Sequence, residues 1–251
     1  MTAPNIPLYH GAMNMTKQKN INTWDNFGPA LSASPLFAGI EPKSLSAMLY
    51  CLGPRLVHCR KGDILALQGE PFTGIGCVLE GQVAVLKENY AGARVLLTRV
   101  DVGGLFGEMA AYAEPVWPAT VQAAQDGVVM FLPKDKITGS CGQNCSWHHA
   151  LVDNLLRILS RKALLLNRKL EYAAIKTMRG KLCAFLLDRY AEAGNALLVL
   201  GMNRNELSEY LDVSRPSMSR ELSRMRDEGL IDFHLATVRL KDIGKLREMA
   251  Q

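Results

Sequence analysis

Asn203-Arg204-Asn205-Glu206-Leu207-Ser208-Glu209-Tyr210-Leu211-Asp212-Val213-Ser214-Arg215-Pro216-Ser217-Met218-Ser219-Arg220-Glu221-Leu222 decides how this chain is read. Asn203 followed three residues later by Glu206 is a capping box, so a helix starts there. A tight turn follows, and Ser214 is placed to cap a second helix whose first turn tolerates Pro216. Gly229 supplies the stop. Residues 230–240 then alternate apolar and polar and turn near Ala236-Thr237, a hairpin that forms a wing beside the helices. The second helix offers Arg215, Ser217, Ser219 and Arg220 on its opening face. Such a helix fits the major groove of B-DNA, where Arg is the side chain best shaped to read guanine.

Upstream, Ile175, Met178, Leu182, Phe185, Leu186 and Tyr190 mark an amphipathic helix over residues 175–192, ended by Gly194-Asn195. Residues 146–172 carry Leu151, Leu155, Ile158, Leu159, Leu165, Leu166 and Leu170 on one broad stripe. A helix that long, against a mean of ~12 residues, either lies on its own neighbouring domain or pairs with a second helix. Pairing suits a DNA reader, because palindromic sites call for a two-fold dimer.

The front half reads as β structure. Ile75, Cys77 and Leu79 alternate, Glu80-Gly81 turns, and Val83 and Val85 alternate again, which predicts a hairpin with its apolar face inward. Val95, Leu97 and Val100 extend the scheme past an Ala91-Gly92 turn, and residues 128–132 form another strand. Gly62, Gly69, Gly81, Gly92, Gly104 and Gly107 recur at the ~10-residue spacing of short strands in a barrel or sandwich. Residues 1–30 are polar and aperiodic and read as a flexible arm.

The whole chain has 251 residues and a formal charge of +5. That length predicts two domains. The charge is uneven. Residues 157–181 hold eight Lys or Arg against one acid, whereas residues 31–140 hold ten acids and nine bases. This suits a near-neutral sensor joined to a basic DNA binder, although a solvated helix face has the same look. No apolar run of ~18 residues suggests a membrane span, and no charged-then-apolar leader is seen, so the expected compartment is the cytoplasm. No nucleophile elbow, P-loop or zinc-protease motif is present, and an enzyme is not expected. Of the six cysteines, Cys51, Cys77 and Cys183 sit in apolar stretches and read as core residues. Cys141, Cys145 and His148 or His149 have a spacing that would share one helix face. They are either metal or haem ligands, a redox pair, or an ordinary helix start.

A glycine-punctuated β-roll (jelly-roll), a long helix and a winged helix-turn-helix, in that order, form an α+β chain. It resembles the cyclic-AMP receptor protein / fumarate-nitrate regulator (Crp/Fnr) family of bacterial transcription factors. The strongest stretches are Gly103-Gly104-Leu105-Phe106-Gly107-Glu108-Met109-Ala110 and residues 213–222. The resemblance implies four segments: an arm over residues 1–30, a β-roll sensor over 31–140, a hinge and dimerisation helix over 141–173, and a winged helix-turn-helix over 174–251. It implies double-stranded palindromic DNA and a second copy of the chain as partners, with RNA polymerase added for an activator. Ser214, Arg215, Ser217, Ser219 and Arg220 become the DNA-reading set. Pro216 stands where relatives carry a Glu that accepts from cytosine, so their half-site does not transfer.

In cyclic-nucleotide-binding relatives a Gly-Glu pair and a later Arg-Ser pair hold the cyclic phosphate and ribose. Gly107 and Glu108 match. Trp117 and Pro118 stand where Arg and Ser are expected, and neither suits a phosphate, so cyclic AMP and cyclic GMP are not the expected effectors. A pocket lined by Gly107, Glu108, Met109, Trp117, Ala119 and Thr120 either takes an uncharged or stacking small molecule or is filled by its own side chains. Haem, another metal and a small-molecule effector are the candidate cofactors, and effector-independent or redox-responsive regulation is the alternative. A regulatory subunit of another protein is the rival class.

Overall fold

The computed structural model describes residues 24–88, 94–113, 115–139 and 146–250. The chain divides into two compact units, residues 1–158 and 159–251.

The first unit opens with a 3-10 turn (Asp25–Phe27), α1 (Gly28–Ala33), a second 3-10 turn (Pro35–Phe37) and α2 (Pro42–Leu52). The predicted arm over residues 1–30 is therefore folded from Trp24 onward. Pro29 sits in the first turn of α1, where its missing N–H costs nothing, and Phe27, Ala30 and Leu31 are buried. Residues 1–23 lie outside the described residues.

Eight strands follow: β1 (Arg55–Cys59), β2 (Ile64–Ala66), β3 (Ile75–Glu80), β4 (Val83–Glu88), β5 (Arg94–Val100), β6 (Leu105–Phe106), β7 (Thr120–Ala123) and β8 (Gly127–Leu132). They form two four-stranded antiparallel sheets, ordered β1-β8-β3-β6 and β2-β7-β4-β5. Val78, Val83, Phe106, Trp117, Val121, Val129 and Phe131 are among the side chains that cluster in the core of this roll. A short helix, α3 (Lys134–Thr138), follows β8.

Two readings of the strands need correction. The predicted hairpin over residues 75–85 is a corner: β3 pairs with β8 and β6, while β4 pairs with β5 and β7. At Gly81 the chain leaves one sheet for the other, and at residues 124–126 it crosses back. These crossings touch: a Cβ on Gly81 would lie 2.4 Å from the Asp126 carbonyl oxygen. Apolar alternation reports which face of a strand is covered, not which strand lies beside it. β3 is in fact buried along nearly its whole length. In β5, Val95 and Leu97 face solvent instead of the core. Among the described residues β5 is an edge strand paired only to β4, and within it only Val100 at its end is buried. The Ala91-Gly92 turn lies outside the described residues. Cys77 and Cys183 are buried as expected, whereas Cys51 is half-exposed near the end of α2.

The helix α4 (Ser146–Ala174) runs from the first unit into the second. Its leucine stripe is two stripes. Leu151, Leu155 and Ile158 are buried, and Asn154 donates to the carbonyls of Leu36 (3.0 Å) and Ala38 (2.8 Å). Leu156, Leu164, Leu165, Leu166 and Leu170 are exposed.

The second unit continues with α5 (Met178–Ala193), β9 (Leu197–Val199), α6 (Arg204–Tyr210), α7 (Arg215–Asp227), β10 (Ile231–His234), β11 (Thr237–Leu240) and α8 (Ile243–Met249). The wing is present, with Leu235 and Ala236 as its turn. β9 adds a third strand against β11 that the sequence pattern did not announce. Tyr172, Phe185 and Tyr210 meet edge to face at centroid distances of 5.8–6.2 Å. They share the core of this unit with Met218, Leu222 and Met225.

Candidate nucleic-acid interface and sensor site

The two helices at residues 204–227 are set by local chemistry. The side-chain oxygen of Asn203 accepts from the N–H groups of Asn205 (2.9 Å) and Glu206 (3.1 Å), and Glu206 accepts from the Asn203 N–H at 2.7 Å. The predicted capping box is complete. The predicted Ser214 cap is not made: its side chain accepts no capping hydrogen bond. Pro216 at the second helical position removes one of the two N–H groups a capping serine can use, and the other, of Ser217, is not taken up by the Ser214 side chain. The Ser214 carbonyl still accepts from Met218 N–H at 2.9 Å and starts the helix.

The inner face of α7 is buried through Met218, Leu222 and Met225. That orients Arg215, Pro216 and Arg220 into solvent, with Ser217 and Ser219 half-buried between them. The structure thus brings all five predicted DNA-reading residues to one end of one helix. Arg220 donates to the Ser217 hydroxyl oxygen at 3.2 Å, which steadies its guanidinium.

Arg179 of α5, which the sequence reading passed over, holds α7 in place. It donates to Glu221 at 2.6 Å and to both carboxylate oxygens of Glu228 at 2.7 and 2.8 Å. These bonds, to Glu228 foremost and then Glu221, raise the Arg179 pKa above its usual value, and the same guanidinium lowers that of Glu228. Phe233 of the wing was also missed. Arg204 lies 4.8 Å from its ring centre and Arg226 lies 5.2 Å from it. An acid three residues from an arginine is a visible pattern; an arginine forty residues upstream of its carboxylate is not.

The six pocket residues fare differently. Gly107 has φ +81° and begins a single turn in which Ala110 and Ala111 donate back to its carbonyl. Glu108 is only 2% exposed, Ala119 is buried, Thr120 is half-buried and accepts from the Gln68 N–H, and Met109 faces solvent. Trp117 is 3% exposed. Its N–H donates to the Glu70 carbonyl, and its carbonyl accepts from Gly69, so residues 69–72 run beside residues 115–117. That pairing delivers Phe72, another missed residue, to within 4.5 Å of the indole, with Phe106 at 6.3 Å. A Cβ on Gly107 would sit 2.8 Å from Cζ3 and 2.9 Å from Cη2 of Trp117. The indole therefore lies directly on the Gly107 backbone and fills the space beside it.

Cys141 and Cys145 lie outside the described residues. His148 is half-buried; its Nε2 is 3.1 Å from the Lys136 carbonyl and its ring lies 4.0 Å from that of Trp147. Among the described residues no group of three His, Cys, Asp or Glu side chains is placed to hold a metal ion, and no helix is long and apolar enough to cross a membrane.

Comparison with known proteins agrees with both halves. Residues 56–144 match the cyclic nucleotide-binding domain family, and residues 180–249 match the Crp-like helix-turn-helix domain family. The chain is similar to the transcriptional regulatory protein btr of Bordetella pertussis, with 32% identity over 77% of this chain and 80% of that protein. It is similar to the cyclic AMP receptor protein of Thermus thermophilus at 24% identity, covering 88% of this chain and 98% of that one. Among solved structures, a variant of CooA from Carboxydothermus hydrogenoformans has the same fold, with a TM-score of 0.52 and 21% identity over 79% of this chain and 88% of that one. The chain belongs to the Crp/Fnr family of DNA-binding transcription regulators.

Proposed function

We propose that two copies of this chain pair along α4 and read a palindromic DNA site with their two α7 helices, and that no cyclic nucleotide gates them. Trp117 carries the last part of this reading. The Thermus relative is named for cyclic AMP, but here the place beside Gly107 holds an indole, and Pro118 beside it offers no N–H. A cyclic phosphate would need charged or multiple donors in that space.

The pairing reading rests on α4. Leu156, Leu159, Ala163, Leu166, Leu170 and Ala173 follow one another at alternating steps of three and four residues. Leu156 (56% exposed), Leu166 (47%) and Leu170 (67%) are left open to solvent. Apolar residues at this spacing form the seam of a two-stranded coiled coil. Arg220 and Arg215 are proposed to contact base edges, with Ser214, Ser217 and Ser219 on phosphate or base edges through short hydrogen bonds. Such a dimer works where the chromosome is, in the cytoplasm, and as an activator it would also touch RNA polymerase. No catalytic role is proposed.

The test is selection of a binding site from a random duplex library by the full chain. The expected product is a palindrome whose half-sites repeat about one helical turn, ~34 Å, apart. Arg220→Ala should lose preference at one base pair per half-site, at a cost of about 1–3 kcal/mol. A variant that keeps the parent's selectivity at every position would remove α7 from the role of recognition helix.

A further inference from the structure

In the first two turns of α7 the outward residues are Arg215, Pro216, Ser217, Ser219 and Arg220, while Met218 is buried. Four of these five carry polar or charged side chains. Pro216 alone is apolar, and it is exposed in the first turn of the helix. Its side chain neither donates nor accepts. Its ring nitrogen carries no hydrogen, so it also lacks the backbone donor that helix starts offer to phosphate. Within the major groove the apolar feature that distinguishes one base from another is the C5-methyl group of thymine.

We infer that Pro216 reads the methyl group of a thymine beside the guanine read by Arg220. This rests on the reading of α7 as the recognition helix. Pro216 and Arg220 are four residues apart and share a helix face, at a rise of ~6 Å. That span corresponds to about two base-pair steps, so the thymine lies about one or two pairs from the guanine. The contact costs little order. The pyrrolidine ring loses almost no side-chain freedom on contact, and its position relative to the helix axis is fixed by φ. Arg220 is itself steadied by the Ser217 hydroxyl, 3.2 Å away, so the two side chains present a set spacing.

The experiment uses the full chain and the duplex it selects. Each thymine near the Arg220-dependent guanine is replaced in turn by deoxyuridine, which removes the methyl group and nothing else. Cytosine and 5-methylcytosine are compared at the same position. One thymine-to-deoxyuridine change should weaken binding about fourfold, the worth of one buried methyl group. The 5-methylcytosine duplex should regain about the same factor over cytosine. Pro216→Glu, which suits a helix N-terminus and so should fold, should lose the methyl effect and select cytosine there. Equal affinity for thymine and deoxyuridine at every such position overturns the inference while leaving the recognition helix intact. A chain that selects no sequence at all overturns the recognition-helix reading itself, and this inference with it.

Discussion

Trp117 is the residue on which the regulatory reading turns. It is 3% exposed and packs on Phe72, Phe106 and the Gly107 backbone. Trp117→Ala should destabilise the first unit by about 3–5 kcal/mol, as large-to-small core changes do, measured by denaturant unfolding. Gly107→Ala should destabilise it too, since φ +81° disfavours any side chain and the new Cβ would meet the indole at 2.8 Å. Thiol chemistry gives a second residue-level outcome. Burial pushes the Cys77 thiol up to about 12 and that of Cys183 up to about 11. Only the thiolate reacts, so alkylation of the folded chain at pH 8 should leave both unmodified, whereas denaturation should expose them. Labelling of either in the native protein would contradict the packing described. The departure of Trp117 and Pro118 from a phosphate-gripping pair was legible in the sequence. The destination of the indole was not, because its partner Phe72 arrives through a strand pairing between segments forty-odd residues apart.

Helices and strands differ in how far local signals determine them. The capping box at Asn203 and Glu206 and the Pro29 start of α1 are settled within one helical turn, and each is visible as a residue pattern. The β3–β4 corner is not: the alternation of Ile75, Cys77, Val83 and Val85 is equally compatible with a hairpin and with a change of sheet, and the contact that decides it is between Gly81 and Asp126. In α4 the stripe was legible, but its division into a buried half and an open seam depends on what packs on Leu151 and Leu155. Leu166→Glu with Leu170→Glu should convert the proposed dimer into a folded monomer, checked by light scattering together with circular dichroism. A dimer that survives would place the seam elsewhere. Arg179→Met should loosen α7 and destabilise the second unit by about 1–2 kcal/mol, a charge-assisted hydrogen-bond loss discounted for partial exposure. The Glu228 part of that network has a definite sign with pH. Its carboxyl is held below the usual value in the folded state, so its contribution is present above the unfolded-state pKa and is lost as pH falls through the folded value.

At the scale of the molecule, α4 joins what would be sensed to what is read. Its C-terminal end is bound into the second unit: Tyr172 donates to Asp188 at 2.6 Å and packs edge-on against Phe185 and Tyr210, while Arg168 pairs with Glu192. Its N-terminal half is bound into the first unit through Asn154 and the buried Leu151 and Leu155. In the first unit, Trp117 packs against Gly107 at the place where the proposed function excludes a cyclic nucleotide. The central claim is that α7 reads a palindromic site and that no cyclic nucleotide gates the reading. Its most direct test is a fluorescence-anisotropy titration of ligand-stripped, reduced protein onto its selected palindrome and a scrambled duplex, each with and without cyclic AMP. The account predicts selective binding to the palindrome that falls steeply with salt, as phosphate contacts require, and that cyclic AMP leaves unchanged. Equal, weak binding to both duplexes that becomes selective only when cyclic AMP is added would contradict it.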